Sequence, residues 1–127
     1  MKKKIYVFGN PIVPEDSLAV DIARELEKEL KDIEFVYIDP NEEIHEKDVV
    51  ILDVARGIKE VSLIKDLDQL ETGKKVSLHD FDIAFSLKLM KKIGLVENIT
   101  IIAIPMNYNL KKACEETKRY VHLTLRK

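Results

Sequence analysis

Three polar residues stand where strands are predicted to end, and their types suit them to metal chemistry. Asp16 follows the first predicted strand at the head of the first predicted helix, and Asp53 lies at the end of the most apolar strand. His79 begins another predicted helix. Since ligands of open parallel sheets bind beyond the carboxyl ends of the strands, these side chains are predicted to converge at one edge of the sheet. Two carboxylates and one imidazole form a nitrogen and oxygen ligand set that suits nickel, zinc or similar ions.

Each of these residues also has a plainer explanation. Asp16 can simply cap its helix by accepting hydrogen bonds from the first turn. Asp53 can accept hydrogen bonds from neighbouring loop N–H groups, although a charged group at the end of a buried strand needs some partner. His79 can be an ordinary residue at the start of a helix. The spacing of the three residues leaves both explanations open.

Strands and helices are predicted to alternate along the chain. The strands lie near 4–8, 34–38, 48–54 and 99–104, with a weaker strand at 60–64. The first helix is capped by Asp16 or Ser17 and has apolar positions from Leu18 to Leu30, and the later helices cover 80–93 and 110–125. The run 48–54 is apolar without alternation, which is typical of a strand buried on both faces of a parallel sheet. The pattern predicts an α/β fold, a three-layer sandwich whose mostly parallel central sheet carries helices on both faces. The 127 residues suit a single domain spanning 1–127.

Composition argues against several classes of partner. The formal net charge of −2 gives no broad basic surface for nucleic acid. The apolar runs are too short to span a membrane. Cys114 is the only cysteine, so no disulfide can form within the chain, which fits a cytoplasmic protein. Cys114 is predicted to be a small core residue of the last helix. His45, among Glu42, Glu43 and Glu46, is predicted to lie on a solvated turn, and His122 in the last helix, away from the strand ends.

Familiar catalytic and nucleotide-binding motifs are missing from the sequence. Gly9-Asn10 resembles a fragment of a dinucleotide-binding loop, but the full Gly-x-Gly-x-x-Gly pattern is absent. A Walker phosphate loop and a Gly-x-Ser-x-Gly elbow are absent too. A nucleotide-binding flavodoxin-like domain and a serine hydrolase are therefore disfavoured.

The order of these features resembles the hydrogenase maturation endopeptidases over nearly the whole chain. Residues 8–20, Phe-Gly-Asn-Pro-Ile-Val-Pro-Glu-Asp-Ser-Leu-Ala-Val, resemble the family's opening, where a strand ends in Gly-Asn and an acidic pair precedes the first helix. That pair corresponds to Glu15-Asp16, and its second member is the family's metal-contacting carboxylate. The family's next carboxylate ends an apolar strand, as Asp53 does. Its histidine follows a Ser-x-His pattern, matched here by Ser77-Leu78-His79.

The sequence departs from the family pattern in two turns and in length. The family usually has Asp-Gly-x-Gly where this chain has Asp16-Ser17-Leu18-Ala19, and a glycine-rich turn where it has Asp39-Pro40-Asn41-Glu42. The chain is also shorter than usual for the family. These differences fit either a divergent subgroup with another hydrogenase partner or a relative that has lost cleavage.

The resemblance implies an endopeptidase of the aspartic or metal-dependent type. Such enzymes remove a C-terminal extension from the nickel-iron hydrogenase large-subunit precursor after nickel insertion, and the nickel carried by the substrate is the recognition mark. By resemblance, Asp16, Asp53 and His79 would be both the catalytic and the metal-contacting residues. No permanent metal is then needed, although another divalent cation could occupy the site in a crystal. The rival hypothesis is a non-catalytic metal- or protein-binding module with the same fold.

Overall fold

Strands and helices alternate in the computed structural model, which describes residues 3–9, 17–39, 42–65, 77–78 and 81–125. The elements in chain order are β1 (Lys3–Val7), α1 (Ser17–Glu27), β2 (Ile33–Tyr37), β3 (Asp48–Arg56), β4 (Ser62–Ile64), β5 (Ser77–Leu78), α2 (Phe81–Lys92), β6 (Asn98–Pro105) and α3 (Leu110–Leu125). The four long strands and the last two helices lie within about two residues of their predicted bounds. β4 is shorter than predicted, and β5 was not predicted.

The sheet has the strand order β2-β1-β3-β6-β4, and β5 pairs with β3 outside this order. The four strands β2, β1, β3 and β6 run parallel to one another. β4 is antiparallel to β6, and β5 is antiparallel to β3. The prediction of a mostly parallel sheet is therefore confirmed.

β3 lies at the centre of this sheet. It pairs with β6 over eight positions, from Asp48 opposite Asn98 to Ala55 opposite Pro105. All of its residues between the two ends are buried, as expected for a strand covered on both faces. The predicted end at residue 54 was wrong, because pairing with β6 and β5 carries β3 on to Arg56. Asp53 therefore lies inside the strand, not at its end.

Helices cover both faces of the sheet and complete the three layers. On one face, α1 and α3 pack against alternate residues of the strands. The buried apolar helical side chains on this face are Ala19, Val20, Ile22, Ala23 and Leu26 of α1 and Ala113 and Val121 of α3. On the other face, α2 contributes Leu87 and Met90 to a second apolar cluster. The predicted sandwich with helices on both faces is confirmed.

The helix ends follow local backbone chemistry. α1 ends at Glu27, earlier than predicted, although Leu30 stays buried and its N–H donates to the Leu26 carbonyl at 2.8 Å. Gly94 has a φ of 87° just after α2, and the Leu95 N–H donates to the Met90 carbonyl at 2.9 Å. This is a Schellman ending, which confirms the predicted role of Gly94.

Within the described ranges, no helix has both the length and the apolar character needed to cross a membrane.

The two apolar faces of α2 give a direct test of this packing. Leu87 is fully buried and Leu89 is 47% exposed, although both are leucines of one helix. We expect Leu87→Ala to lower the free energy of unfolding by about 2–5 kcal/mol, because it leaves a cavity in the core. Leu89→Ala should change it by less than about 0.5 kcal/mol. Urea denaturation measures both values, and similar losses for the two variants would contradict the placement of α2.

Candidate functional site

The carboxyl ends of β1 and β3 form the topological switch point of the sheet. From β1 the chain proceeds to β2 on one side, and β3 then pairs with β1 on the other side. Ligands of doubly wound sheets bind in the crevice that such a reversal creates. The last contacts between the two strands are the pairing of Val7 with Leu52 and a hydrogen bond of 3.1 Å from the Phe8 N–H to the Leu52 carbonyl.

Asp53 follows directly after this last contact. Its residue surface is 0% exposed, which sets it apart from the other carboxylates of the described residues. Alternation along β3 places its side chain on the same face as Ile51 and Ala55, the face that α2 covers. Ala103 lies opposite Asp53 on β6 and adds only a methyl group there. The carboxylate thus stands among small and apolar side chains beneath the carboxyl edge of the sheet.

One oxygen of Asp53 is engaged by the backbone of its own strand. Oδ1 accepts a hydrogen bond of 2.8 Å from the N–H of Val54. Alternate residues of a strand direct their backbone groups to the same edge, so the Val54 N–H points toward the side where β1 has already ended. The Asp53 side chain therefore satisfies a donor that has no partner on this edge among the described strand residues. The sequence analysis offered hydrogen bonds from loop N–H groups as the plainer explanation of Asp53. Asp53 does accept a backbone hydrogen bond, but the donor belongs to its own strand and not to a loop.

β5 occupies the same edge of β3 a little further on. Leu78 pairs with Ala55 and Ser77 pairs with Arg56, while β6 holds the opposite edge of β3. The end of β1, Asp53 and β5 thus succeed one another along one edge. A strand of two residues is too short for a periodic pattern, which explains why it was not predicted. Arg56, exposed at the end of β3, is a cation at this edge that the sequence analysis did not single out.

Asp16 and His79 lie outside the described residues. Their described neighbours in sequence are Ser17, the first residue of α1, and Leu78, the last residue of β5. Within the part of the chain that is described, no group of three His, Cys, Asp or Glu side chains could hold a metal ion. Because two of the three predicted ligands are outside that part, their convergence with Asp53 stays a prediction.

The other polar candidates lie apart from Asp53. His45 is exposed, and its Nε2 is 3.1 Å from a carboxylate oxygen of Glu43. His122 is exposed on α3, which covers the opposite face of the sheet. Cys114 is half-buried on α3 and packs against the core of that face, close to its predicted role. Burial raises the pKa of its thiol, and the carboxylates of Glu25 and Glu29 raise it further.

Comparison with solved structures supports the fold across almost the whole chain. The protein is similar to a solution structure of an endopeptidase from Escherichia coli, with a TM-score of 0.65, 15% sequence identity, and coverage of 98% of this chain and 94% of that one. It is also similar to the crystal structure of an uncharacterized protein from Wolinella succinogenes, with a TM-score of 0.56, 11% identity, and coverage of 97% and 99%. No protein-family model and no curated protein matches the sequence. The likeness therefore defines an α/β fold that a known endopeptidase shares.

The structural role of Asp53 can be separated from its charge by two substitutions. Asp53→Asn keeps an oxygen that can accept from the Val54 N–H, whereas Asp53→Ala removes it. We expect Asp53→Ala to be less stable than Asp53→Asn by about 1–3 kcal/mol, the cost of a buried donor left without its acceptor. Urea denaturation of the two variants measures the difference. Equal stabilities would show that this hydrogen bond does not hold the edge of β3.

Cys114 is expected to be a slow nucleophile. Because its pKa is raised, a smaller fraction of the thiol is ionised at any given pH, and the thiolate is the form that reacts. The pH at which alkylation by iodoacetamide reaches half its maximal rate should lie above the value of about 8.5 of an unperturbed thiol. Glu25→Gln should lower this midpoint, since it removes the carboxylate that raises the pKa of Cys114 most. A folded protein that reacts faster than the denatured chain at pH 8 would instead mark Cys114 as activated.

Proposed function

We propose that this protein is a maturation endopeptidase that removes the C-terminal extension of a nickel-iron hydrogenase large-subunit precursor. The observation that carries the proposal is the fully buried carboxylate of Asp53 at the switch point of the sheet. Burying a charged group is costly, so a carboxylate kept in the most apolar strand suggests a role beyond packing. Recognition of a cation carried by the substrate would be such a role.

Three further observations support the proposal. The segment between β1 and α1, which contains Asp16, starts from the same carboxyl edge at which Asp53 lies. His79 directly follows Leu78, whose partner Ala55 is two residues beyond Asp53. The overall fold is that of a structure described as an endopeptidase. Each of the three residues that the family resemblance assigns therefore lies in an element that reaches the switch point, or is next to such an element in the sequence.

The three residues would act together on the precursor. Asp16, Asp53 and His79 would contact the substrate-borne nickel, and this contact would place the nearby peptide bond at the site of cleavage. A carboxylate and imidazole set suits nickel, and the imidazole adds the nitrogen ligand that two carboxylates lack. Asp53 would contribute a ligand of fixed position, because its Oδ1 is already held by the Val54 N–H. Recognition would then require a loaded precursor, which prevents trimming before nickel insertion.

The proposal is tested by incubating the protein with nickel-loaded and nickel-free precursor and determining the precursor's C-terminus by mass spectrometry. We expect cleavage of the loaded form only. His79→Ala and Asp53→Asn should each slow cleavage about 100-fold or more, since losing a direct ligand should exceed the 10–100-fold loss typical of outer-shell partners. His45→Ala and His122→Ala are matched controls, because His45 is exposed before the amino end of β3 and His122 is exposed on α3, which covers the opposite face.

Thermal unfolding of every variant shows whether a loss of activity reflects a loss of fold. Full cleavage by a folded His79→Ala or Asp53→Asn protein would refute the assigned roles. Tight binding of the loaded precursor without any cleavage would favour the non-catalytic module. Equal cleavage of loaded and nickel-free precursor would refute recognition through nickel.

A further inference from the structure

A cavity of about 760 Å³ lies at the amino-terminal edge of the sheet, far from the edge near Asp53. It is lined by the first residues of β1, β3 and β6 and by the last turn of α3. Lys3 and Thr100 each lie two residues before a buried member of the cluster beneath α1 and α3, so alternation directs both to that face. The last buried side chain of α3 is Val121, and the turn after it borders the cavity without closing it. We call this space the amino-edge cavity.

The walls of the amino-edge cavity combine apolar and cationic side chains. Leu63 of β4 and Leu123 and Leu125 of α3 supply apolar surface. Lys3 of β1 and Lys65, just after β4, line the same cavity. β1 and β4 are separated by three strand spacings of about 4.8 Å, or about 14 Å in all. The two lysines therefore flank the apolar surface from opposite sides.

The two carboxylates that line the cavity already have partners. Asp48 accepts a hydrogen bond of 2.7 Å from the side-chain amide of Asn98. Glu46 accepts one of 2.6 Å from the Tyr6 hydroxyl and lies 3.4 Å from the Lys4 ammonium. Neither carboxylate is therefore left over to neutralise the remaining lysines.

Those remaining lysines give the cavity an excess of positive charge. The Lys47 ammonium is 4.0 Å from a Glu97 oxygen, but the ammonium groups of Lys3 and Lys65 have no ion-pair or hydrogen-bond partner in the described part of the chain. The last turn of α3 adds only about half an elementary negative charge, which two full positive charges outweigh. Where the described chain stops beside the cavity, the next residues in the sequence are Lys2, Asp66 and Arg126.

From these observations we infer that the amino-edge cavity binds a small organic anion with an apolar body. Its volume falls within the range of about 300–1,000 Å³ in which small-molecule sites lie. The apolar body would lie against Leu63 and Leu123. The flexible stems of Lys3 and Lys65 would bring two ammonium groups to the acidic group, and the Thr100 hydroxyl would be a further donor. This cavity is separate from Asp53, and the inference does not depend on the proposed peptidase activity.

The inference can be tested with two fluorescent probes that differ only in charge. Anilinonaphthalene sulfonate carries a sulfonate on an apolar body, and phenylnaphthylamine is the same body without the sulfonate. We expect saturable binding of the sulfonate probe, and at least about tenfold weaker binding of the neutral probe, a difference of about 1.4 kcal/mol. Decanoate should displace the sulfonate probe, and decanol should not. Amide NMR shifts should change at Val50, Leu63 and Thr100.

Variants of the lining residues locate the anion. Lys3→Met and Lys65→Met keep an apolar stem without the ammonium group, so each should weaken binding of the sulfonate probe at least about fivefold. Lys65→Arg should preserve it, and Leu123→Gln should weaken binding of both probes. Lys59→Met and Lys91→Met are the matched controls, since these exposed lysines lie near the carboxyl edge of the sheet and on α2.

Several results would overturn the inference. One is equal affinity for the charged and the neutral probe, and another is wild-type affinity in both Lys3→Met and Lys65→Met. Losses of the same size in the two control variants would show that only the overall charge of the protein matters. Shift changes confined to other parts of the sheet would place the probe elsewhere. Thermal unfolding confirms that each variant is folded.

Discussion

The burial of β3 on both faces is the constraint on which the rest of the structure depends. β3 is held by β1 and β5 along one edge and by β6 along the other. Its side chains must then satisfy two apolar layers at once, which explains the run Val49–Val54 with a single polar member. Burial of apolar area on this scale is the dominant favourable contribution to folding. Helices on both sides are a necessary consequence, because neither face of β3 can meet water.

Asp53 is the exception to this constraint, and the architecture explains how it can be tolerated. β1 stops short of Asp53 while β6 continues, and no described strand residue pairs with Val54 on the β1 edge. The carboxylate accepts the Val54 N–H and so offsets part of the cost of its own burial. The same bond restricts the side chain to one position. A ligand group fixed by its own strand requires little reorganisation when it binds, and this is the property that a recognition site needs.

The sequence predicted the fold well wherever periodicity extends over many residues. α3 was predicted with its observed bounds, because its apolar residues recur at helical spacing over sixteen positions. The run Val49–Val54 identified the central strand, since apolarity without alternation requires two covered faces. The three residues of β4 and the two of β5 carry no such pattern, so only tertiary pairing defines them. Asp53 could be singled out as a polar residue in an apolar run, but its bond to the Val54 N–H depends on where β1 ends. The position where β1 ends relative to Asp53 depends on the register between β1 and β3, which local sequence does not specify.

The two faces of the sheet are covered unequally, and this asymmetry distinguishes α2 from the other helices. α1 and α3 lie side by side on one face, where each shields the flank of the other, and Lys118 of α3 pairs with Glu29 just after α1 at 2.7 Å. On the other face, the described helical cover is α2 alone, supplemented by Ile38, Ile44 and Val96 from loops. A helix with a neighbouring helix can bury a wide apolar arc, whereas α2 buries a narrower one through Leu87 and Met90. Apolar residues beyond that arc remain in solvent. Phe85, Leu89 and Ile93 lie beyond that arc, and they are 62%, 47% and 59% exposed.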